Sequence, residues 1–134
     1  LEDSNEYTST FSYLMEAQGL HLAPAGYMHP GVQRDITPQM RGILIDWLVE
    51  VAEEYKLKGE TLHLSVNFID RFLAVQAVER GKLQLVGVTC MLVAAKYEEI
   101  FAPQVEEFVF ITDNTYTKME VLAMETVVLK TLSW

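Results

Sequence analysis

An all-α fold is predicted from three features of the sequence. The stretch from Leu83 to Ala95 carries no charged side chain. As a helix it would be about 20 Å long, too short for a hydrocarbon core of about 30 Å, so other helices must surround it. Helix-start signals stand on either side of it, at Thr37-Pro38 and at Thr117-Lys118-Met119-Glu120. No segment alternates apolar and polar residues as a strand does.

The chain divides into two parts. Between residues 6 and 20 the apolar side chains recur at helical spacing, which predicts a modest N-terminal helix. Prolines and glycines between His21 and Arg34 indicate a linker. We therefore assign residues 1–34 to an N-terminal helix and linker, and residues 35–134 to one helical domain.

We expect five helices in that domain, one of which is the central helix. They run from Thr37-Pro38 to about Tyr55, from about Thr61 to Val75, through Leu83–Ala95, from Ala102-Pro103 over a short stretch, and from Thr117 to about Leu132.

The first of these helices has two apolar stripes. One contains Met40, Ile43, Leu44, Trp47 and Val51, and the other contains Ile45, Leu48, Val49 and Ala52. A helix packed on one side needs one stripe, so the second is either a further core contact, which the pattern favours, or an exposed docking surface.

A structural ion pair is predicted between the first two helices of the domain. Arg41 lies beside an apolar stripe, and a buried guanidinium requires an acidic partner. The next helix offers Asp70 among apolar residues. We expect Arg41 and Asp70 to pair and to pin the two helices together.

Composition and residue pattern favour an intracellular binding module over an enzyme. Acidic residues outnumber basic ones 19 to 10, a net charge of −9 that disfavours nucleic acid as a partner. The single cysteine, Cys90, fits a reducing compartment, nucleus or cytoplasm, and the first residues lack the pattern of a signal peptide. The three histidines are dispersed, so we expect no metal, no cofactor and no catalytic constellation, and the apolar stretch predicts no membrane span.

The sequence resembles the N-terminal cyclin box of mitotic, A-type cyclins. The resemblance covers essentially residues 35 to 134. It rests on Met40-Arg41-Gly42-Ile43-Leu44-Ile45-Asp46-Trp47-Leu48-Val49-Glu50-Val51, on Asn67-Phe68-Ile69-Asp70-Arg71-Phe72-Leu73, on Arg80-Gly81-Lys82-Leu83-Gln84-Leu85-Val86-Gly87 and on Ala95-Lys96-Tyr97-Glu98-Glu99-Ile100. It implies a five-helix box with the third helix at its centre.

The resemblance also implies a regulatory subunit that binds and activates a cyclin-dependent kinase in cell-cycle control. Lys96 and Glu125 match the lysine and glutamate with which the family contacts the kinase, and Tyr97 matches an aromatic interface position. Val93, Leu129 and Trp134 match apolar interface positions. Lys96 and Glu125 can equally form an internal ion pair, because the third and fifth helices should be neighbours. Both roles are compatible.

A second surface is implied for Arg-x-Leu motifs of substrates and inhibitors. Its apolar patch matches Met40, Ile43, Leu44 and Trp47, and its rim matches Glu50, Arg80 and Gln84. A shallow apolar groove with an acidic edge suits a basic and apolar peptide. The resemblance assigns Arg41 and Asp70 to internal structure.

The sequence departs from the family pattern in one respect that affects function. Family members continue into a second five-helix repeat, which is absent from this sequence after Trp134. The alternative function is therefore a cyclin-fold adaptor or scaffold that binds partners without activating a kinase.

Overall fold

The computed structural model describes residues 32–133 and shows a bundle of five α-helices. They are α1 (Pro38–Glu54), α2 (Gly59–Val75), α3 (Leu83–Glu98), α4 (Val105–Ile111) and α5 (Lys118–Thr131), with a short 3₁₀ helix at Arg80–Lys82. The all-α prediction is confirmed. The expected N-terminal helix at residues 6 to 20 lies outside the described residues, and so does Trp134.

The first helix begins where the sequence predicts. The Met40 amide donates a hydrogen bond of 3.2 Å to the Thr37 hydroxyl, which caps the helix. Pro38 takes the first helical position, where its missing N–H leaves no carbonyl without a partner. At the other end Lys56 adopts a left-handed backbone (φ 54°), which reverses the chain toward α2.

The apolar helix α3 is the centre of the bundle. Every residue from Leu83 to Ala95 is buried, and α3 contacts each of the other four helices. Burial also raises the pKa of the Cys90 thiol, because a thiolate would lose its hydration there. The prediction of a central helix is confirmed.

The two stripes of α1 are both largely core. Leu48 and Ala52 of one stripe are buried, as are all five residues of the other: Met40, Ile43, Leu44, Trp47 and Val51. Helix α1 approaches α3 closely at Gly87, where an added Cβ would lie only 2.6 Å from Cδ1 of Leu44. Gly87 therefore sets how near the two helices can come.

The last helix, α5, begins with the predicted capping box. The Glu120 amide donates to the Thr117 hydroxyl over 3.1 Å, and the Thr117 amide donates to the Glu120 carboxylate over 2.8 Å. The bond from the Thr117 amide lowers the pKa of Glu120, since it stabilises the ionised carboxylate.

The segment that leads into α1 is tied to the end of α2. Gln33 is fully buried, and its side-chain nitrogen donates hydrogen bonds to the carbonyls of Leu73 and Gln76 over 2.7 and 2.5 Å. Its side-chain oxygen accepts a hydrogen bond of 3.2 Å from the Val78 amide. The sequence pattern predicts Gln33 to lie in the linker between His21 and Arg34. Its burial is a tertiary property, because all three of its partners lie at least 40 residues further along the chain.

Over residues 32–133, no helix is both long enough and apolar enough to cross a membrane.

Replacement of Gly87 by alanine should destabilise the domain. The new methyl group must displace Leu44, which is fully buried, and overpacking of this kind costs about 1–3 kcal/mol. Gly42 of α1 is the matched control, because nothing lies within 4 Å of an added Cβ there. Gly42→Ala should instead stabilise α1 by about 0.5–1 kcal/mol. Urea unfolding of both variants measures the difference, and equal stabilities would contradict the close approach.

Candidate partner-binding surfaces

An ion pair joins the end of the central helix to α5. The Lys96 ammonium lies 2.7 Å from the Glu125 carboxylate, with 57% of the Lys96 side chain exposed and 14% of the Glu125 side chain. Lys96 stands in the last turn of α3, where a cation is favourable. Because an ammonium has three donors, Lys96 can hold Glu125 and still donate to a partner molecule. The structure thus brings together the two residues that the sequence singled out.

The apolar residues predicted around this pair differ in how far their side chains are exposed. Tyr97 is 70% exposed, whereas Val93 is buried at 4% exposure. Leu129 is partly buried and packs against the core. Among the three of these residues that the structure describes, Tyr97 is therefore the most accessible to a partner.

Further exposed apolar side chains were not predicted as part of a site. Ile100 and Phe101, just after Tyr97, are 82% and 93% exposed, and Met119 and Leu122 project from α5. Exposed apolar groups grouped together mark interaction surfaces more often than isolated ones do. The only sequence signal was the absence of helical spacing between Glu99 and Pro103, which gives Ile100 and Phe101 no core face to occupy.

The predicted docking patch on α1 is not an exposed surface in this structure. Met40, Leu44 and Trp47 are fully buried and Ile43 is 6% exposed. The surface patch that the resemblance implies is corrected: this stripe faces the core, as the helical spacing favoured, and Leu44 meets Gly87 of α3. Whether a peptide docks there stays a prediction.

The three rim residues of the predicted patch have different surroundings. Glu50 is exposed, whereas Gln84 is 4% exposed and its amide nitrogen is buried without a hydrogen-bond partner in the described part of the chain. Arg80 binds Asp35, to which it donates from its backbone amide over 2.7 Å and from Nε over 2.8 Å. These hydrogen bonds from Arg80 lower the pKa of Asp35.

Arg41 and Asp70 form a bidentate contact between α1 and α2. The guanidinium Nε and Nη2 donate to the two carboxylate oxygens over 2.6 and 2.8 Å. The side chains are 33% and 45% exposed, so the sequence-based premise of a buried guanidinium is wrong. An ion pair so exposed contributes about 0–1 kcal/mol to the free energy of folding. The pair therefore orients α1 and α2 more than it stabilises them.

The described residues contain no group of three or more histidine, cysteine or carboxylate side chains that could hold a metal ion. What they offer a partner is a charged pair with aromatic and aliphatic neighbours.

Comparison with known proteins identifies this helical domain. The family profile described as "Cyclin, N-terminal domain" matches residues 9–134. The chain belongs to the cyclin family. The resemblance to A-type cyclins is confirmed by the similarity to Cyclin-A2-1 of Arabidopsis thaliana, 68% identical over 101 residues, which are 75% of this chain and 23% of that protein. Cyclin-A1 of Homo sapiens is 59% identical over 124 residues, 92% of this chain and 26% of that protein.

The cyclin fold is also found by structural comparison. The X-ray structure of a viral cyclin from herpesvirus saimiri matches with a TM-score of 0.74 at 24% identity, over 93% of this chain and 54% of that chain. The chain thus spans about a quarter of the curated relatives that it matches and about half of the viral cyclin.

The core position of the α1 stripe in this cyclin box can be tested directly. Replacement of Met40, Leu44 and Trp47 together by alanine should unfold the domain, since each substitution costs about 2–5 kcal/mol against a total of about 5–15 kcal/mol. Replacement of Asp46, Glu50 and Glu53 by their amides alters the exposed side of the same helix and serves as control. Thermal unfolding followed by circular dichroism distinguishes the two. A triple alanine variant as stable as wild type would contradict the core position.

Proposed function

We propose that this cyclin box binds a cyclin-dependent protein kinase and switches it on. The observation that carries the proposal is the Lys96–Glu125 pair at the exposed end of α3, beside the protruding Tyr97. It is supported by the match of these three residues to the positions with which cyclins contact their kinase.

The arrangement suits recognition of a kinase backbone. Glu125 is only 14% exposed and holds the Lys96 ammonium in one place, while Lys96 keeps donors for carbonyl groups of a partner. Tyr97, Ile100 and Phe101, which follow Lys96 closely along the chain, are exposed apolar side chains. An interface with apolar anchors around a fixed charged pair has the composition of an energetic hot spot.

Activation would follow from a difference in affinity, because a cyclin supplies no catalytic group. A cyclin box that binds the active arrangement of the kinase more tightly than the inactive one shifts the population toward the active form. To invert a ratio of about 1:99 requires an affinity difference of about 10⁴. Such a shift would align the kinase's own lysine–glutamate pair and its activation loop.

A second candidate is a cyclin-fold adaptor that binds without activating. It is supported by the composition of the surface, which offers a charged pair and exposed apolar side chains for binding. Binding and activation measured separately distinguish the two candidates, since an adaptor binds the kinase and leaves its activity unchanged.

Replacement of both Lys96 and Glu125 by alanine should reduce kinase activation by about 30-fold or more, because both charges of the proposed contact are lost. Phosphorylation of a peptide substrate by a purified monomeric cyclin-dependent kinase, with and without the chain, measures this effect. The fold should survive, because Lys96 is largely exposed.

The matched control for that variant is the exposed pair of Lys118 and Glu106, whose charged atoms are also 2.7 Å apart. Their double alanine variant removes the same two charges from elsewhere on the domain and should activate as wild type does. Full activation by the Lys96 and Glu125 variant would refute the assigned surface.

We also propose that the predicted patch, where α1 meets α3, captures Arg-x-Leu peptides. The proposal is supported by the resemblance of the patch and by the exposed carboxylate of Glu50, which suits the arginine of the motif. Because Met40, Leu44 and Trp47 are buried, a leucine side chain can enter only if they move apart. Bound substrates would then be held near the kinase at a raised local concentration.

Replacement of Glu50 by glutamine should weaken binding of a fluorescent Arg-x-Leu peptide about tenfold, measured by polarisation. Glu53→Gln, an equal change on an exposed residue of the same helix, should have no effect. A peptide whose arginine is replaced by alanine should bind wild type and the Glu50 variant equally. Equal binding of the intact peptide to both proteins would contradict the role of Glu50.

A further inference from the structure

The end of α3 is fastened to the beginning of α2 by a carboxylate. Glu99 follows the last residue of α3, and its Oε2 accepts hydrogen bonds from the Lys58 amide over 2.7 Å and from the Thr61 hydroxyl over 2.5 Å. Lys58 also reaches back, since its ammonium donates to the Glu98 carbonyl over 3.2 Å. We call these contacts of Lys58, Thr61, Glu98 and Glu99 the α2–α3 clasp.

The clasp meets a requirement of α2. The residue that precedes this helix, Lys58, makes no capping bond with its side chain. The first turn of a helix has unpaired N–H groups and a positive dipole end, and a carboxylate satisfies both. Glu99 supplies that carboxylate from another helix, and Thr61, which is fully buried, fixes its position.

The same carboxylate fixes the direction in which the chain leaves α3. Glu99 turns from helical to extended backbone, and its amide donates to the Ala95 carbonyl over 2.8 Å. Ile100 and Phe101 come next and are 82% and 93% exposed. Because these two side chains lack a core to pack against, the hold on Glu99 determines where they point relative to Tyr97.

We infer that Glu99 is a positioning residue for the proposed kinase-binding surface, and that it acts through Thr61 and the Lys58 amide. The inference rests on the proposed function. By holding Ile100 and Phe101 beside Tyr97 before the partner arrives, the clasp lowers the ordering cost of binding. Thr61 is out of reach of a partner because it is fully buried, and its hydroxyl donates to Glu99, so a loss of affinity in Thr61→Val without a matching loss of thermal stability would act through Glu99.

Four variants of the 134-residue chain test the inference. Thr61→Val and Glu99→Gln each weaken the clasp, the double variant combines them, and Thr61→Ser retains the hydroxyl. Glu60→Gln is the control, because it removes a carboxylate from the same helix turn outside the clasp. We would measure the affinity of each for a purified monomeric cyclin-dependent kinase, its thermal unfolding, and amide hydrogen exchange of Glu99, Ile100 and Phe101 in the free protein.

Thr61→Val and Glu99→Gln should each weaken kinase binding about three- to tenfold. The double variant should weaken it no more than the stronger single variant does, because the effects of two residues that act through one contact do not add. Both should speed exchange at Glu99, while Thr61→Ser and Glu60→Gln should match wild type. The inference is overturned if Thr61→Val binds as wild type does while Glu99→Gln does not, or if the two effects add.

Failure of the proposed function gives a different result. A wild-type chain that binds no kinase refutes the proposed function. In that case exchange in the free protein decides whether Glu99 holds the segment: unchanged exchange in Thr61→Val would refute the positioning role as well.

Discussion

The burial of α3 is the constraint on which the rest of the structure depends. Thirteen consecutive residues of this helix are buried, and a charge among them would lose its hydration without a partner. Charged groups are therefore confined to its two ends and to the outer faces of the surrounding helices. This explains why Lys96, the first charged residue after the buried stretch, stands at the surface and is available to a partner.

Polar contacts fix the two ends of α3 in place. At the start, the Tyr116 hydroxyl donates to the Gly81 carbonyl over 2.7 Å, and burial raises the pKa of Tyr116 to about 12. Asp35 holds Arg80 in the turn before the helix. At the other end, Glu125 holds Lys96 and the α2–α3 clasp holds Glu99. A helix fixed at both ends presents its terminal side chains in one arrangement, which reduces the entropy lost on binding.

Two expectations for α1 differ from the structure. The resemblance implies a surface patch, yet Leu44 is fully buried, as the helical spacing favoured. The place of Arg41 beside an apolar stripe predicted a buried guanidinium, yet Arg41 is one-third exposed. Spacing along one helix indicates which residues share a face, whereas the neighbouring helices decide which faces are covered, here through the close approach of α1 to α3 at Gly87.

The sequence by itself predicted five helices, the caps of α1 and α5, the central place of α3 and membership of a family, because these depend on local spacing, capping and motif. The starts of α2 and α4, at Gly59 and Val105, differ from those predicted. The sequence also indicated Lys96 and Glu125 as candidate kinase contacts, through the resemblance to a family and not through geometry. Only the tertiary structure decided that Gln33 is a buried anchor, that the α1 stripe faces the core, and that Glu99 meets Thr61. These facts join residues about 40 positions apart, and no local pattern in the chain encodes such contacts.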